Sequence, residues 1–588
     1  MSNTHDGFAD LYSRYFVSDQ KKMGRQLPPS MWNPTDWSYA AEGGKHAIFR
    51  YSGIDCDFFG HVLRIAKSDL ACASSKNDDG ESASSLRTCK VIEFMEESDS
   101  PSQTFHRKIV QPLIGHCYLD LARLIRLPAA CCAHLYHSTL ASGLIPPSRL
   151  PSWRIGNTKD SREGVKATLL RDHTHLSRHP RLLSLPASIS DNYNIIDSRS
   201  ITVLSVEIKP KAGYITASPL VLPVHRCKYY RTRYSLQQEL MQMGHVQKGW
   251  RTMKTGDEKK QSTENSKMQD VFTPSNYSPL DLFSPNTIRT QKALKDLSQN
   301  MQNNFRVWCN GKQIFGEYET PFDNVCQKIL DDICHNSGSD GKVLLPDPKS
   351  TLLDVITRTV SQVLERESLL SNILSMQQLD VIDGDGAVKV YERLVHLCKG
   401  SNLEAEKLLD EAALLARDGL VLGQGASTSS LFYSDSSPYI MHECDSLENL
   451  LDEIVQFQTH LRKRMQEGSS PNEEILDASH ARCIECVNDL SKEACIYLLQ
   501  NWLLSLALCD VSFFVSFQFL MDQEHEATEE CQSCDHGGIA ICSMQDDVLA
   551  SRAMGVHYEV KIVDCDPKPA KKLHGRGEVE SKFQFIDK

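Results

Sequence analysis

The pattern of hydrophobic and polar positions divides the chain into strand-like and helix-like parts. Alternating runs such as HAIFRYSG from His46 and HVLRIAK from His61 predict strands, because successive strand side chains point to opposite faces. After about residue 320, apolar residues recur every three or four positions, as in the runs that begin at Ser350 and Asp445, and this spacing predicts helices. The predicted fold class is therefore α+β, with a helical region in the second half.

One apolar segment, LLSLALCDVSFFVSF from Leu503 to Phe517, carries a carboxylate at its centre. The segment is shorter than the ~20 residues that a membrane-spanning helix needs, and Asp510 would lie in the middle of the bilayer. We therefore predict a buried helix that runs into a buried strand. A buried Asp510 is costly unless it has a partner or a chemical task, so it becomes a candidate functional residue.

Three polar stretches, which begin at Cys72, Thr255 and Gly423, lack apolar periodicity and predict insertions or linkers. At roughly 150 residues per domain, the 588 residues allow two to four domains or one large kinase-sized body with insertions. The hydrophobic content of 40% is enough for a sizeable core in either case.

Charge and cysteine content narrow the possible functions. The net charge of −12 argues against a general nucleic-acid or membrane binder, so an anionic ligand must be held by a local cluster of basic residues. The 20 cysteines are spread along a chain whose first residues contain no apolar signal segment. This distribution favours reduced thiols in a cytoplasmic or nuclear protein.

The run SVEIKPKAGY, from Ser205 to Tyr214, combines a strand-like start with one anion and two cations. If the strand continues, Glu207, Lys209 and Lys211 lie on one face, because strand side chains repeat every second residue. Such a face suits a ligand with several phosphates better than a core. The alternative, a solvated edge strand of mixed charge, is equally compatible with this run alone.

From Asp36 to Lys67 the sequence predicts three strands, the first two of them joined by a Gly-Gly turn. Glycines allow backbone N–H groups to approach phosphates, and Arg64 and Lys67 on the third strand could reach the same phosphates. This arrangement predicts a nucleotide cover, and an ordinary hairpin is the alternative.

Near the end of the chain, the run YEVKIVDCDPKPAKK predicts a strand from Tyr558 to Val563. Two acidic residues and three lysines follow this strand: Asp564, Asp566, Lys568, Lys571 and Lys572. Carboxylates at a strand end can hold Mg²⁺, and neighbouring lysines can hold phosphate. A strand followed by a solvated basic tail is the alternative.

The residues EIKPK, Glu207 to Lys211, resemble the E-x-K-P-K signature of inositol-pentakisphosphate 2-kinases. Other runs between about residues 36 and 576 resemble motifs of that family in the family's order. They are DWSYAAEGGKHAIFRYSG, IVQPLIG, PSWR, LLRDH, YSPLDLFS, QNNFRVWCNG, CDVSFFVSF and VDCDPKP. Each motif is short, but the common order makes the resemblance specific.

This resemblance implies a two-lobed inositol phosphate kinase fold, with a small N-terminal β-rich lobe and a larger α/β C-terminal lobe that contains a helical inositol-binding region. Residues 1–35 would form an N-terminal extension, 36–170 the N-lobe that covers the nucleotide, and 171–588 the C-lobe, with polar insertions near 252–275 and 423–440. The implied activity is transfer of phosphate from ATP, with Mg²⁺, to the axial 2-hydroxyl of inositol 1,3,4,5,6-pentakisphosphate, which gives the hexakisphosphate (phytate). We expect a monomer with small-molecule partners, and neither a nucleic acid nor a membrane partner.

The resemblance also implies roles in nucleotide binding. Arg171, Asp172 and His173 would form the adenine hinge, and Asp564 would hold Mg²⁺ through ATP. The complete set implied for the nucleotide is Gly43, Gly44, Lys45, His46, Arg64, Arg171, Asp172, His173, Glu207, Arg306 and Asp564.

For the inositol phosphate, the resemblance implies basic and polar residues around one reacting hydroxyl. Asp510 would orient this hydroxyl or act as its general base, which would give the carboxylate of the apolar segment a task. The implied phosphate-binding set is Arg154, Lys209, Lys211, Asn303, Lys568 and Lys572.

The sequence departs from the family pattern at several of these positions. Ala40 or Ala41 stands where the family has an arginine, and Arg171 stands where the family hinge has an asparagine. Lys572 keeps the charge of an expected arginine but not its planar fork of donors. Met241 replaces an expected phosphate-binding lysine, and the residues that could substitute for it are Lys228, Arg231 and Arg233.

Two functions from different classes follow from this comparison. The first is the 2-kinase activity, which the retained Asp510, Glu207 and Asp564 favour. The second is a catalytically weak inositol-polyphosphate-binding protein on the same fold, which the losses at Ala40 and Met241 favour. An inositol polyphosphate kinase of another position specificity lacks support, because the P-x-x-x-D-x-K-x-G hallmark of that family is missing from the sequence.

The run HARCIECVND offers His480, Cys483 and Cys486 at a spacing compatible with a zinc site. Tetrahedral zinc needs a fourth ligand, which Cys398 or Cys444 could supply. Reduced cysteines of an ordinary helix are the alternative.

Overall fold

The computed structural model describes most of the chain between residues 33 and 586, and the chain divides into two compact units. The first unit consists of Met1–Ser100 and Leu121–Asp172, and the second of Pro101–Asp120 and His173–Lys588. The described residues are 33–43, 45–53, 58, 60–75, 93–94, 101–145, 150–153, 164–176, 202–244, 272–316, 321–336, 345–415, 445–469, 472–519, 538–543 and 553–586. Most of the predicted extension and insertions therefore lie outside the described residues.

The described elements are a mixture of strands and helices, which confirms the predicted α+β class. The strands are β1 Trp37–Glu42, β2 His46–Tyr51, β3 His61–Ala66, β4 Glu93–Phe94, β5 Arg123–Leu127, β6 Val165–Arg171, β7 Val203–Ile208, β8 Phe305–Cys309, β9 Lys312–Phe315, β10 Ser512–Phe519, β11 Gly538–Ser543 and β12 Ala553–Val563. The α-helices are α1 Lys67–Ser75, α2 Pro101–Phe105, α3 Gln111–Ile114, α4 Ala129–Ser142, α5 Leu150–Trp153, α6 Arg233–Gln242, α7 Pro279–Leu282, α8 Thr287–Gln299, α9 Asp323–Asn336, α10 Pro348–Arg366, α11 Leu369–Gln377, α12 Asp383–Leu397, α13 Asn402–Leu415, α14 Asp445–Gln466, α15 Glu473–Asp489, α16 Lys492–Leu508 and α17 Arg576–Ser581.

The first unit is built on an antiparallel sheet with the strand order β1-β2-β3-β6-β5-β4. Inward-facing residues such as Phe49 and Leu63 form its core together with the fully buried Trp153. The predicted strands from His46 and His61 are confirmed. Lys67 does not extend the third strand, because it begins α1, where its ammonium group lies buried 2.8 Å from Glu42.

The second unit is built on an antiparallel sheet with the strand order β11-β12-β10-β7-β8-β9. Strand β7 lies between β10 and β8, and each of its six residues is buried. The alternative of a solvated edge strand is therefore wrong for the start of the SVEIKPKAGY run. The central position of β7 brings the end of the EIKPK run beside the start of β10.

Helices α9 to α16 lie between strands β9 and β10 in the chain and confirm the predicted helical region. Helix α16 ends at Leu508 and β10 begins at Ser512, so the apolar segment is a buried helix that runs into a buried strand, as predicted. The long helical pattern from Ser350 is two helices, α10 and α11. Between them Glu367 accepts hydrogen bonds from the hydroxyl groups of Tyr118 (2.6 Å) and Tyr558 (2.7 Å). None of the helices in the described ranges is long and apolar enough to cross a membrane.

The C-terminal segment of the second unit is held by a buried cluster of charged side chains. Lys228 Nζ lies 2.6 Å from Asp383, 2.9 Å from Asp385 and 2.6 Å from Glu580. Glu580, on α17, also accepts from Arg233 at 2.8 Å. We call Lys228, Arg233, Asp383, Asp385, Arg576 and Glu580 the C-terminal cluster. It fixes the end of the chain, which also carries the predicted phosphate-binding lysines.

Candidate active site

Asp510 lies in the short connection between α16 and β10 of the second unit. Its backbone N–H donates to the carbonyl of Ala507 (3.2 Å), which closes the last turn of the helix. Its side chain is 65% exposed, and Oδ2 lies 3.1 Å from the ammonium group of Lys568. The prediction of a buried Asp510 is therefore wrong, because the chain turns outward at this point between two buried elements. The predicted need for a partner is met by Lys568.

Three lysines set the charge state of Asp510. Desolvation raises the pKa of its carboxyl group, but the positive charges of Lys568, Lys211 and Lys209 lower it, and the net pKa is below the usual value. Burial lowers the pKa of Lys211. The negative charge of Asp510 partly offsets this lowering, and the positive charge of Lys209 adds to it. Asp510 is therefore a carboxylate at neutral pH, and its negative charge interacts with the positive charges of the neighbouring lysines.

The loop after β7 positions the two lysines of the EIKPK run. Because β7 ends at Ile208, Lys209 and Lys211 do not continue a strand face, and the predicted period-two arrangement is wrong beyond Glu207. Lys211 instead has a left-handed backbone with φ of 62°, a conformation that costs a non-glycine residue of order ~1–3 kcal/mol. Such strain persists where the surroundings fix the backbone and is concentrated at functional sites.

Glu207 and Arg306 form an ion pair across neighbouring strands. They are register partners on β7 and β8, and Arg306 Nη1 lies 3.3 Å from Glu207 Oε2. Arg306 Nη2 also donates to the side-chain oxygen of Asn303 at 2.7 Å. The structure thus brings together two residues predicted for the nucleotide and one predicted for the inositol phosphate.

Asp564 follows β12 and offers an exposed carboxylate. Its backbone is left-handed, with φ of 62°, at the end of the strand. Asp566, two residues further, accepts a hydrogen bond from the hydroxyl of Ser102 at 2.8 Å. A single carboxylate at a strand end fits the usual Mg²⁺ site of a nucleotide enzyme, in which one or two carboxylates and the substrate phosphates are ligands. The described residues around Asp564 are therefore compatible with the predicted metal.

The turn between β1 and β2 belongs to the first unit. The N–H of Gly43 donates to the carbonyl of His46 (2.9 Å), and a side chain added at Gly43 would meet no atom within 4 Å. Arg64 Nη2 lies 3.3 Å from His46 Nδ1, so two of the predicted phosphate-contacting residues are neighbours. Lys45 is exposed on this turn, and Gly44 lies outside the described residues.

The predicted hinge residues span the boundary between the units. Arg171 ends β6, and the carboxylate of Asp172 is 2.5 Å from Arg50 Nε within the first unit. His173 begins the second unit, where its carbonyl oxygen accepts from the hydroxyl of Ser516 at 2.5 Å. Arg171 and Asp172 therefore belong to the first unit and His173 to the second, where the chain passes from one unit to the other.

Lys572 and Arg154 complete the predicted phosphate-binding set. Lys572 is exposed on the 3₁₀ turn Ala570–Lys572, four residues after Lys568. Arg154 lies outside the described residues, and its neighbour Trp153 is buried with its indole N–H donating to Glu42 at 2.6 Å.

The structure shows which basic residues are available near Met241, which lies on α6. Lys228 is not available, because its ammonium group is buried among the three carboxylates of the C-terminal cluster. Arg233 is paired with Glu580 in the same cluster, and Arg231 forms an ion pair with Glu239. The prediction that one of these three replaces the missing lysine therefore finds no support among the described contacts.

A pocket adjoins Asp510 within the second unit. Ala212 and Cys509, the neighbours of Lys211 and Asp510, line it, together with the edge of the C-terminal cluster. Burial, followed by the negative charge of Asp383, raises the pKa of Asp380 in this pocket to about 7. Four cationic side chains (Lys228, Arg231, Arg233 and Arg576) and two carboxylates (Asp380 and Asp383) line the pocket. Each of the four cations forms an ion pair with a carboxylate, so the pocket is not an obvious anion site.

The predicted zinc ligands lie on α15 and are not brought together. Cys483 is fully buried, burial raises the pKa of its thiol to about 12, and His480 Nδ1 is hydrogen-bonded to the carbonyl of Pro219 at 3.0 Å. Among the described residues, three potential ligands approach one another only at Asp383, Asp385 and Glu580, and there the ammonium group of Lys228 is the central cation. Cys444 lies outside the described residues, so the zinc site stays a prediction.

Two residues that were not predicted for the site bond to the loop from Lys209 to Gly213, which we call the lysine loop. The hydroxyl of Tyr277 donates to the carbonyl of Pro210 at 2.7 Å, and the amide of Gln377 bonds the backbone of Lys211 and Gly213. Tyr277 belongs to the motif YSPLDLFS, which was a usable signal. Gln377 lies 164 and 166 residues from these loop partners and belongs to no motif, so nothing in the sequence pointed to it.

Comparison with known proteins shows the family to which the chain belongs. A sequence profile of the family described as Inositol-pentakisphosphate 2-kinase matches residues 39–582, which is most of the chain. The chain therefore belongs to the inositol-pentakisphosphate 2-kinase family. This finding confirms the family resemblance that the EIKPK run and the ordered motifs indicated.

The chain is distantly related to individual members of this family. It is 25% identical over 406 residues to an inositol-pentakisphosphate 2-kinase of Arabidopsis thaliana, covering 66% of this chain and 78% of that protein. It is 24% identical over 419 residues to a protein of the same description from Oryza sativa subsp. indica, with the same coverage. A protein of that description from Danio rerio is 23% identical over 402 residues, which are 61% of this chain and 69% of that protein.

Proposed function

We propose that this protein is an ATP-dependent kinase that phosphorylates the axial 2-hydroxyl of inositol 1,3,4,5,6-pentakisphosphate and produces the hexakisphosphate. The observation that carries this proposal is the exposed carboxylate of Asp510 among Lys209, Lys211 and Lys568. A carboxylate beside several ammonium groups suits a polyphosphate that presents one unmodified hydroxyl. Family membership and the names of the relatives support the same reaction.

The lysines would hold the phosphates, and Asp510 would receive the hydroxyl. Each charge-assisted hydrogen bond between an ammonium group and a phosphate contributes about 1.5–3 kcal/mol, so several are needed for a ligand of such high charge. Phosphates held by Lys211 and Lys568 would orient the ring and leave the 2-hydroxyl as the group that can approach Asp510. Asp510 would then accept the hydroxyl proton as the phosphoryl group is transferred.

Binding of the phosphates would also change the basicity of Asp510. In the unliganded protein the lysines lower its pKa. Phosphates that pair with Lys211 and Lys568 would neutralise that positive charge, and the pKa of Asp510 would rise. The carboxylate would therefore become a stronger base when the substrate is present, which is the state in which it must act.

On the second unit, Glu207, Arg306 and Asp564 would serve the nucleotide, with Asp564 as a ligand of Mg²⁺. The metal would supply positive charge that neutralises the transferred phosphoryl group. Arg306, oriented by Glu207 and Asn303, presents a fixed guanidinium to a phosphate. The nucleotide roles implied for Gly43, Lys45, His46 and Arg64 of the first unit stay predictions of the family resemblance.

The second candidate function, a catalytically weak binder of inositol polyphosphates, is favoured by one observation. Lys228, Arg231 and Arg233 are engaged by carboxylates, so none of them is seen to replace the lysine missing at Met241. Weaker binding of one phosphate would reduce the precision with which the 2-hydroxyl meets Asp510.

A chromatographic phosphate-transfer assay separates these functions. The purified full-length protein would be incubated with MgATP and inositol 1,3,4,5,6-pentakisphosphate, and the product would be compared with authentic hexakisphosphate. We expect hexakisphosphate to form with multiple turnovers. Saturable binding of the pentakisphosphate without product would reject the kinase and favour the binder.

A further inference from the structure

Gln377 is a buried amide that connects the lysine loop to the Asp510 connection. It ends α11, it is 0% exposed, and it belongs to none of the sequence motifs. Its side chain lies between the loop after β7 and the end of α16. The loop contains Lys211, and the connection that follows α16 contains Asp510.

Three backbone groups bond to this amide and use both of its N–H donors. Nε2 donates to the carbonyl oxygens of Lys211 (2.9 Å) and Leu508 (3.0 Å), and Oε1 accepts from the N–H of Gly213 (2.8 Å). Because two partners are acceptors and one is a donor, only one orientation of the amide satisfies all three. The carbonyl of Gln377 is itself fixed by the hydroxyl of Ser505 at 2.6 Å.

The position of this bridge matters because both segments need an external support. Lys211 has a left-handed backbone that must be held in place. Leu508 is the last residue of α16, so its carbonyl has no partner within the helix, and Asp510 follows two residues later. One side chain therefore sets the distance between the backbone of the phosphate-binding lysine and the backbone of the acceptor carboxylate.

We propose that Gln377 is a positioning residue for the phosphoryl-transfer reaction, which it supports by holding the Lys211 loop and the Asp510 connection in register. This inference rests on the proposed function. Gln377 does not touch the reacting atoms. Its loss would leave two buried carbonyl oxygens and one N–H without partners and would allow the two segments to move apart.

The test compares Gln377→Met with Gln378→Met. Methionine keeps the length of the side chain but bonds none of the three backbone groups, and Gln378 is the exposed next residue of the same helix end. The pentakisphosphate kcat would be expressed per binding-competent site, counted by calorimetry, so that a misfolded fraction is not mistaken for a slow enzyme. We expect kcat to fall about 10- to 100-fold in Gln377→Met, more than KM rises, and to change less than twofold in Gln378→Met.

A second variant, Gln377→Glu, gives a pH signature that loss of packing does not. The introduced carboxylate would face two carbonyl oxygens without a proton, and burial would raise its pKa. When protonated, it could donate to one carbonyl and accept from Gly213, as the amide does. We expect the ratio of variant to wild-type kcat to rise as the pH falls. This pH dependence tests the proposal even if Gln377→Met does not fold.

Hydrogen exchange tests the bridge without any turnover. The N–H of Gly213 should exchange about tenfold faster or more in Gln377→Met or Gln377→Glu, and at the wild-type rate in Gln378→Met. If the wild type makes no product but this difference is present, the kinase proposal fails while the bridge stands. Unchanged exchange at Gly213, or a kcat within twofold of the wild type in both Gln377 variants, would overturn the inference.

Discussion

At the scale of single residues, the charge of Asp510 depends on its lysine neighbours. Lys568 is the first of the charges that lower the pKa of Asp510, and in the proposed reaction its ammonium group would also bind a phosphate of the ligand. Under the proposed function, the same side chain keeps Asp510 ionised without substrate and would bind the substrate when it arrives. These two effects can be separated, because one changes a pH profile and the other changes affinity.

Lys568→Gln removes both effects and leaves the length of the side chain similar. Because Lys568 lowers the pKa of Asp510, its removal raises that pKa, and the acid limb of the kcat/KM profile should move to higher pH. The KM for the pentakisphosphate should rise about tenfold or more, since one charge-assisted hydrogen bond is lost. Steady-state kinetics across pH measure both.

Lys571→Gln is the matched control for this change. Lys571 is exposed on the 3₁₀ turn that follows Lys568, and no ion pair to it is recorded among the described residues. The pH profile of kcat/KM for Lys571→Gln should coincide with that of the wild type. If the acid limb of the Lys568→Gln profile does not move, then that limb does not reflect the ionisation of Asp510.

The residue types of the candidate site were readable from the sequence, whereas their exposure was not. The identities of Lys209, Lys211, Lys568 and Asp510 were available from the ordered motifs. The exposure of Asp510 was not, because an apolar window cannot show that the chain turns outward between a helix and a strand. Burial depends on how elements meet, and one sequence does not record it.

At the scale of elements, the loop from Lys209 to Gly213 is fixed at each of several consecutive backbone groups. The N–H of Lys209 donates to the carbonyl of Asn304 (3.0 Å), and the hydroxyl of Tyr277 donates to the carbonyl of Pro210. The side-chain amide of Gln377 bonds the carbonyl of Lys211 and the N–H of Gly213. The loop is therefore a rigid support for the lysines, even though it has no regular secondary structure. Rigid support is what phosphate positioning requires.

Gly213→Ala should displace this loop. A Cβ at Gly213 would lie 2.1 Å from the ring of Phe283, which follows α7, so either the ring or the loop must move. Overpacking of this kind costs about 1–3 kcal/mol, and we expect a lower Tm together with a higher KM for the pentakisphosphate. Calorimetric unfolding and steady-state kinetics measure the two effects.

Gly577→Ala provides the comparison with the same chemical change. A Cβ at Gly577 meets no atom within 4 Å, and the residue lies inside α17, where alanine is favoured over glycine. We expect an unchanged or slightly higher Tm and an unchanged KM. A Tm for Gly213→Ala equal to that of the wild type would show that the loop is more adaptable than its contacts indicate.

The elements themselves were predicted unevenly. Strands at His46 and His61 and helix α14 follow from local periodicity, which the sequence displays directly. The break between α10 and α11 does not, because it is stabilised by Tyr118 and Tyr558 bonding Glu367 from distant parts of the chain. The continuous hydrophobic spacing across the break therefore predicted one helix where there are two.

At the scale of the whole molecule, the second unit is closed by its own C-terminal segment. Glu580 accepts from Arg233, Lys228 and Arg576, and these positive charges hold its pKa far below the usual value despite its burial. Phe583 packs beside them in a small apolar cluster with Leu236. The end of the chain is thus held by both ion pairs and apolar packing.

Glu580→Gln should destabilise the second unit. Removal of the shared carboxylate leaves the buried Lys228 and the partly buried Arg233 and Arg576 with less compensation, and breaking a buried charge pair costs about 3–5 kcal/mol. Because the folded pKa of Glu580 is depressed, its contribution is complete above its unfolded pKa of about 4.3 and is lost as the pH falls below that value. The deficit of the variant should therefore be largest at neutral pH and shrink in acid.

Denaturant unfolding of the wild type and of Glu580→Gln between about pH 3 and pH 7 measures this difference. Glu578→Gln, an exposed change on the same helix, should have almost no effect at any pH. A deficit for Glu580→Gln that is independent of pH would show that shape, not charge, holds the segment.

The family and the fold class of the whole molecule could be predicted from sequence, because ordered motifs extend over most of its length. The connections between distant segments could not be predicted. Gln377 joins residues that are 131 to 166 positions away, and Lys228 is surrounded by carboxylates from two other segments. These contacts decide which basic residues are available to a ligand and which are structural.

The most direct test of the proposed mechanism is the comparison of Asp510→Asn with the wild type for turnover and for binding. Turnover of the pentakisphosphate should fall by about 10²–10⁴-fold, because the acceptor of the hydroxyl proton is lost. Binding measured by calorimetry should be equal or tighter, because a negative charge beside the phosphates is removed. Asp489→Asn, an exposed change at the end of α15, should leave both unchanged. Turnover by Asp510→Asn close to the wild-type rate would contradict the assignment of Asp510 as the residue that receives the 2-hydroxyl.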